Sequence, residues 1–302
     1  MTYRAFFKKL LGKYWFVYEL CYFVLGVLVI AVVGSAAGEI VSVHLGVDHN
    51  FGSVTLMALV CVLVAWGTKL VETILSGWSF LLYATYGAFV YLYLNEYGGN
   101  LDTMLFEGEA KSDWFINAIR YVGYNVAAIP LILFCVAHMK SRNDSFIAGL
   151  LTGPLAMIPA VLFYLTIVVS PESILDVAVP SDFMMERLNS PLMQAIFYVV
   201  LFGTFVETCT AFIHAINERI SEVYVERKER VMPKRLRVMT AVVILVISIY
   251  LAGSVGLVNL IGGGYGTLTW IFIAVYIVPL FSWGLYSIVR YDKKGMRIEE
   301  AS

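Results

Sequence analysis

Charge is what this chain has least of. Only 14% of its 302 residues are Asp, Glu, Lys or Arg, while 60% are hydrophobic. A soluble domain of this length has no use for so much apolar surface, and the soluble classes are excluded. Polar connecting sequence is also short. No stretch between apolar runs exceeds about 20 residues, which leaves no room for a separate soluble domain. Cysteine is rare: Cys21, Cys61, Cys135 and Cys209 all lie inside apolar runs. That argues against a disulfide framework, and the spacing fits no metal site. The four read as small, soft packing residues. Catalytic signatures are missing too. There is no His-Glu-x-x-His, no Gly-x-Ser-x-Gly and no Asp-rich metal motif. The expectation is a chain that is not an enzyme, with no catalytic residues, no metal ligands and no cofactor.

What the chain does have is eight long apolar runs. They are Trp15–Val41, Gly52–Thr73, Trp78–Leu94, Phe115–His138, Phe146–Val169, Pro191–Asn217, Val238–Leu257 and Leu268–Tyr291. Most reach or approach the ~20 residues that cross a bilayer as helix. The expected fold is all-α: a polytopic membrane protein of about eight transmembrane helices, forming a single integral membrane domain over residues 1–302. Membrane lipid is its first partner.

The basic residues give the orientation. Eighteen of the 21 Lys and Arg fall on one side, in five groups: Arg4 to Lys13, Lys69, Lys140 with Arg142, Arg219 to Arg237, and Arg290 to Arg297. The other side keeps Lys111, Arg120 and Arg187 among many acids, such as Glu96, Asp102, Asp113, Glu172 and Asp182. The positive-inside rule puts the basic side in the cytoplasm, with both termini there and the protein in the cell (inner) membrane. Once orientation has used these residues, no basic face remains for nucleic acid. The 219–237 segment is read as a basic loop and topology determinant. The amino terminus imitates a signal peptide, with basic residues before an apolar run and Gly34-Ser35-Ala36-Ala37 as a small-residue site. The run is too long for a signal h-region and is read as a retained span.

Breaks in spanning helices are tolerated only where protein or water covers the freed backbone, so breaks point to sites. The fourth run reads Tyr121-Val122-Gly123-Tyr124-Asn125-Val126-Ala127-Ala128-Ile129-Pro130. Pro130 has no N–H and crowds the carbonyl of Val126. Gly123 loosens the turn before it. The helix is expected to fail between Val122 and Pro130, with Tyr124 and Asn125 between the breakers. Either these two line a site, or the helix kinks and Asn125 bonds to a neighbouring helix. In the fifth run, Gly149, Gly153, Pro154 and Pro159 imply a bent helix with close neighbours.

The sixth run begins with Ser190 as N-cap and Pro191 in the first turn. Inside it, Thr204, Glu207, Ala211, His214 and Glu218 fall on one helical stripe. Glu207 lies some 15 Å deep along the helix at ~1.5 Å per residue. An acid at that depth must be paired, wetted or protonated, and is a functional candidate by default. Elsewhere, the run from Gly34 to Gly38 implies a tight helix crossing. The loop Gly262-Gly263-Gly264-Tyr265-Gly266 reads as a flexible connector. Aromatics such as Tyr91, Tyr93, Trp270, Trp283 and Tyr286 fit interfacial belts.

The order of these features resembles the YkvI family of bacterial membrane proteins, which is functionally uncharacterised. The resemblance is carried by the opening segment Tyr3 to Lys13, Gly34-Ser35-Ala36-Ala37-Gly38, Tyr124-Asn125, Ser141-Arg142, Glu207-Thr208 and the Gly-Tyr-Gly ahead of the last run. It implies a relation to the amino acid/polyamine/organocation transporters and the LeuT-type inverted-repeat fold. The eight runs would then be core helices three to ten, a fold truncated at its N-terminus. The two absent helices would be lost, dispensable or separately encoded.

What the resemblance implies for function is a secondary transporter, or a remnant of one, for a small polar solute. Substrate-binding residues would be Tyr124 and Asn125 in the broken fourth span, facing Glu207, Thr208 and Thr210 in the sixth. These three would serve coupling to H+ or Na+. Cys209 between the threonines and the acid before them put a sodium site in doubt and favour a proton. The alternative is a non-transporting membrane scaffold or assembly partner, with an oligomer among its forms.

Overall fold

The computed structural model describes residues 3–66, 68–106, 111–126, 141–287 and 289–290. Every element among them is helical, and no strand occurs among the described residues. The helices are α1 (Tyr3–Leu11), α2 (Trp15–Leu45), α3 (His49–Trp66), α4 (Thr68–Tyr97), α5 (Leu101–Phe106), α6 (Trp114–Val126), α7 (Arg142–Val168), α8 (Pro180–Leu188), α9 (Pro191–Lys228), α10 (Lys234–Val255) and α11 (Leu257–Ser287). Among the described residues, five helices are long and apolar enough to cross a membrane: Ala5–Leu45, Asn143–Val168, Pro191–Lys228, Lys234–Val255 and Leu257–Ser287. His49–Val64 is a shorter apolar helix. The protein is an all-helical membrane protein.

Several boundaries differ from the sequence expectation. The break expected between Thr73 and Trp78 is helix, because α4 runs from Thr68 to Tyr97. Helix α9 runs past Asn217 to Lys228, so much of the expected basic loop is helix. Arg227 and Lys228 occupy its last turn, where cations complement the helix dipole. Glu229 then stops it in the left-handed conformation (φ 52°). Ser190 does occupy the N-cap position, but its hydroxyl makes no cap bond. The glycine-rich segment ahead of the last run is not a loop. Leu260–Tyr265 is a π-helical turn, and helix resumes at Gly266. Two further π-turns, Ile273–Ile277 and Leu280–Gly284, flank Pro279. A proline lacks the N–H that the ladder needs, and widened turns absorb such gaps. The expected failure of the fourth span is helical as far as Val126; Ala127 to Pro130 lie outside the described residues.

The chain divides into two compact units. The first comprises Met1–Leu25, Lys111–Phe146 and Gly262–Ser302. Its core is aromatic. Phe7 and Tyr18 are fully buried and stack at 3.8 Å. Phe272 and Tyr276 of α11 close on Tyr18 at 5.8 and 5.4 Å. Offset and edge-on pairs of this kind add to the burial of the rings themselves.

The second unit comprises Gly26–Ala110 and Ile147–Ile261. Here α3 packs against both α9 and α10, and α9 also packs against α4. The crossing of α2 with α3 is as tight as the small run implies. A Cβ on Gly38 would lie 2.5 Å from the His49 carbonyl oxygen, and one on Gly52 would lie 2.8 Å from that of Ala37. The Ser53 hydroxyl donates to the Gly34 carbonyl across it (2.7 Å).

At one end of this unit lies a cluster formed by Phe89 and Tyr93 of α4, Met184 and Met185 of α8, and Met193 and Phe197 of α9. Tyr93 is therefore core and not part of an interfacial belt: it is fully buried, with its hydroxyl 2.7 Å from Ser170 Oγ. Tyr97 donates to the Arg187 carbonyl (2.8 Å), and the Arg187 guanidinium lies 3.9 Å above the Tyr97 ring. The other end is tied by Arg237, which donates to Glu218 (2.6 Å). The first set of contacts joins segments that the charge pattern puts outside. The second joins segments that it puts in the cytoplasm.

Candidate functional site

Tyr124 and Asn125 sit in the last described turn of α6, in the first unit. Gly123 does not loosen this helix; it lets the helix approach α11. A Cβ there would lie 2.6 Å from Thr269 Cγ2 and 3.3 Å from Ile273 Cδ1. The Thr269 hydroxyl donates to the Arg120 carbonyl beside it (3.2 Å). This contact fixes the ring of Tyr124, which stacks on Tyr265 at 5.1 Å and 13° and meets Tyr121 edge-on at 5.5 Å. Asn125 is exposed, and its Nδ2 donates to the Tyr121 carbonyl one turn back (2.7 Å). The amide is thus satisfied within its own helix and not by a neighbouring one. Pro130 lies outside the described residues.

Glu207, Thr208 and Thr210 lie on α9, in the second unit. The stripe that contains Glu207 is not uniform. At its N-terminal end, the Thr204 hydroxyl bonds back to the Val200 carbonyl (2.9 Å). That carbonyl also receives the Trp78 indole N–H (3.3 Å). The Trp78 ring lies so close to Gly203 that any side chain there would strike it. At the other end, His214 stands 3.9 Å from Glu218, which Arg237 holds. Glu207 lies between these ties, half-buried. Its carboxylate has no hydrogen bond or ion pair among the described residues.

Three residues on, Thr210 is buried (4% exposed) and its Oγ1 has no partner among the described residues. A threonine in a helix ordinarily satisfies its hydroxyl on the carbonyl one turn back. A buried hydroxyl that does not is a group waiting for a partner. Glu207 and Thr210 share a face by their spacing. Thr208 is two residues from Thr210, so the two threonines point to nearly opposite sides of the helix. Cys209 between them is fully buried.

A cavity of about 320 Å³ opens beside this helix. Val41, Leu45, Phe51, Leu56, Phe202 and Val206 are among its lining residues. Its wall is apolar, and Glu207 is not part of it.

One polar cluster escaped the sequence reading. The His44 Nε2 lies 2.9 Å from Asp182 Oδ1, and the Tyr198 hydroxyl donates to the same oxygen at 2.5 Å. Glu186, one turn after Asp182 on α8, completes it. His44 and Asp182 are 138 positions apart, so no spacing pattern could reveal them. The available signal was coarser: all four fall near ends of runs assigned to the same side of the membrane.

Comparison of the chain with known protein families, with curated proteins and with solved structures finds no match.

Proposed function

We propose that this protein is a proton-coupled secondary transporter of a small polar solute, with eight spans that correspond to core helices three to ten of a LeuT-type fold, and both termini on the cytoplasmic side of the inner membrane. The observation that carries the proposal is the pair on α9. Among the described residues, Glu207 is an acid without a partner, inside a 38-residue helix otherwise apolar enough to span, and the buried Thr210 hydroxyl beside it also lacks one. Intramembrane acids of this kind mark ion and proton paths, because a purely structural acid would be paired. Every other ionisable member of the stripe is tied. Tyr124 and Asn125 serve solute contact in this reading, which rests on the sequence resemblance. An exposed amide and an aromatic stack side by side on one helix are chemically suited to that role. Proton coupling is preferred to sodium because Thr208 and Thr210 diverge and cannot jointly ligate one ion.

The test is solute-dependent proton entry into liposomes holding the purified full chain, followed with an internal pH dye. The solutes offered are the common amino acids and small amines. Wild type should acidify the interior with at least one of them. Glu207→Gln keeps size and hydrogen-bonding capacity but removes titration, and should abolish the signal while solute counterflow persists. Full acidification by Glu207→Gln would end the proton role. Failure of wild type with every solute would leave the scaffold as the better reading.

A further inference from the structure

We propose that His44, Asp182 and Glu186 form a binding site for a divalent first-row transition-metal ion. The ligand atoms come from two elements, the end of α2 and one face of α8, and all lie within 4.8 Å of one another. Two donors at right angles on one ion, each ~2.1 Å away, stand ~3 Å apart. His44 Nε2 and Asp182 Oδ1 stand 2.9 Å apart. Asp182 and Glu186 are four residues apart on α8, so both carboxylates lie on one side of it.

Tyr198 and the packing of α8 hold these groups in place. Tyr198 donates to Asp182 Oδ1 and fixes the carboxylate, as the partners of ligating carboxylates do. It also lies 2.8 Å from His44 Nε2, so an ion bound there would take the place of the hydrogen bonds that Nε2 now makes. Helix α8 is itself held in place, because Met184 and Met185 are fully buried in the cluster beneath it. Arg187, the nearest cation in sequence, is turned away to Tyr93 and Tyr97 and does not neutralise the two acids. Two carboxylates this close repel each other, and an ion between them would relieve that.

The donor set selects the ion. One imidazole and two carboxylates suit Zn2+ or Mn2+; Ca2+ asks for six to eight oxygens, and soft copper(I) asks for sulfur. The remaining positions on the ion are open to water. Binding would clamp the end of α2 to α8, and through Tyr198 to α9.

The test uses the purified full chain in detergent, stripped with a chelator and titrated with ZnCl2 by calorimetry, with Tm recorded in parallel. One Zn2+ should bind per chain at micromolar concentration and raise Tm. Glu186 is exposed, so Glu186→Gln should fold normally, which circular dichroism will check, and should weaken binding by about tenfold or more. His44→Ala should do the same. The Zn2+-dependent rise in Tm should vanish in the double variant. Equal affinity and stoichiometry in wild type and double variant would overturn the site and place the ion elsewhere, with His214 and Glu218 as one location. Absence of binding to wild type at millimolar Zn2+ would overturn it as well. Neither outcome depends on Glu207 or on transport.

Discussion

Two stretches of this protein are built from the same residues and behave differently. Gly34, Gly38 and Gly52 gather where α2 crosses α3, and Gly149 and Gly153 lie one turn apart on α7. At the crossing, an added Cβ would lie 2.5 to 2.8 Å from a backbone carbonyl or a side-chain atom of the neighbouring helix. On α7, an added Cβ would meet nothing within 4 Å at either glycine. Both stretches carry the small residues that let membrane helices approach. Small residues permit a close crossing but do not cause one. What lies opposite decides, and in the crossing a hydroxyl lies opposite: Ser53 donates to the buried Gly34 carbonyl.

The comparison is broken most severely by Gly38→Ala. The methyl would collide with the His49 carbonyl at 2.5 Å and with Ser53 Oγ at 2.6 Å. A backbone carbonyl cannot swing aside, so the helices must separate. Overpacking of this kind costs about 2–3 kcal/mol. The expected result is a sharply lower Tm in detergent, or loss of folded protein. Gly34→Ala is the control. Its obstacle is Met57 Cε at 2.6 Å, the far end of a flexible side chain, and its cost should be clearly smaller. Equal losses at both positions would mean that the crossing is not governed by these contacts.

Gly123→Ala should come next. Its methyl meets the Thr269 methyl at 2.6 Å, which can yield only by moving a β-branched side chain on a packed helix. A loss of about 1–2 kcal/mol is expected. The Tyr124–Tyr265 stack should loosen with it, read as a change in near-ultraviolet circular dichroism. An unchanged Tm and spectrum would return Gly123 to a role in helix breaking.

Ser53→Ala should cost less, about 0.6 kcal/mol. The Gly34 carbonyl keeps its helical partner, so only the interhelical bond is lost. A loss as large as that of Gly38→Ala would show that the hydroxyl, and not the close approach, holds the crossing.

How much of this could be read from the sequence depends on how local the cause is. The apolar runs are local, and they are helical wherever their residues are described. The tight crossing at Gly34 to Gly38 was legible because a dense small run has few other uses. Gly123 was read as a breaker, because the Thr269 methyl that explains it lies 146 positions away. The glycine-rich segment at Gly262 looked like a loop because glycine signals turns in water. Inside a membrane protein the backbone must satisfy itself, and a π-turn does so. The extra length of α9 was hidden by charges that read as a loop, although Glu, Arg and Lys are good helix formers. For the candidate site, Glu207 was legible from depth alone. The orphaned Thr210 hydroxyl and the His44–Asp182–Tyr198 contacts require coordinates, since each is defined by what stands opposite.

The smallest expected effect tests the other side of the comparison. In α7 the paired substitution Gly149→Ala with Gly153→Ala adds two methyl groups to open space. Nothing within the chain opposes them. Alanine restricts the unfolded backbone and favours the helix, by up to about 0.5–1 kcal/mol per site in exposed helices. Lipid should weaken that gain, because the helix is already obligatory there. The double variant should therefore keep or slightly raise Tm and leave the oligomeric state unchanged, as measured by light scattering in detergent. A Tm lower by several degrees, together with a change in mass, would show that this face packs against a second copy of the chain. Gly149 and Gly153 would then do between molecules what Gly38 and Gly52 do within one.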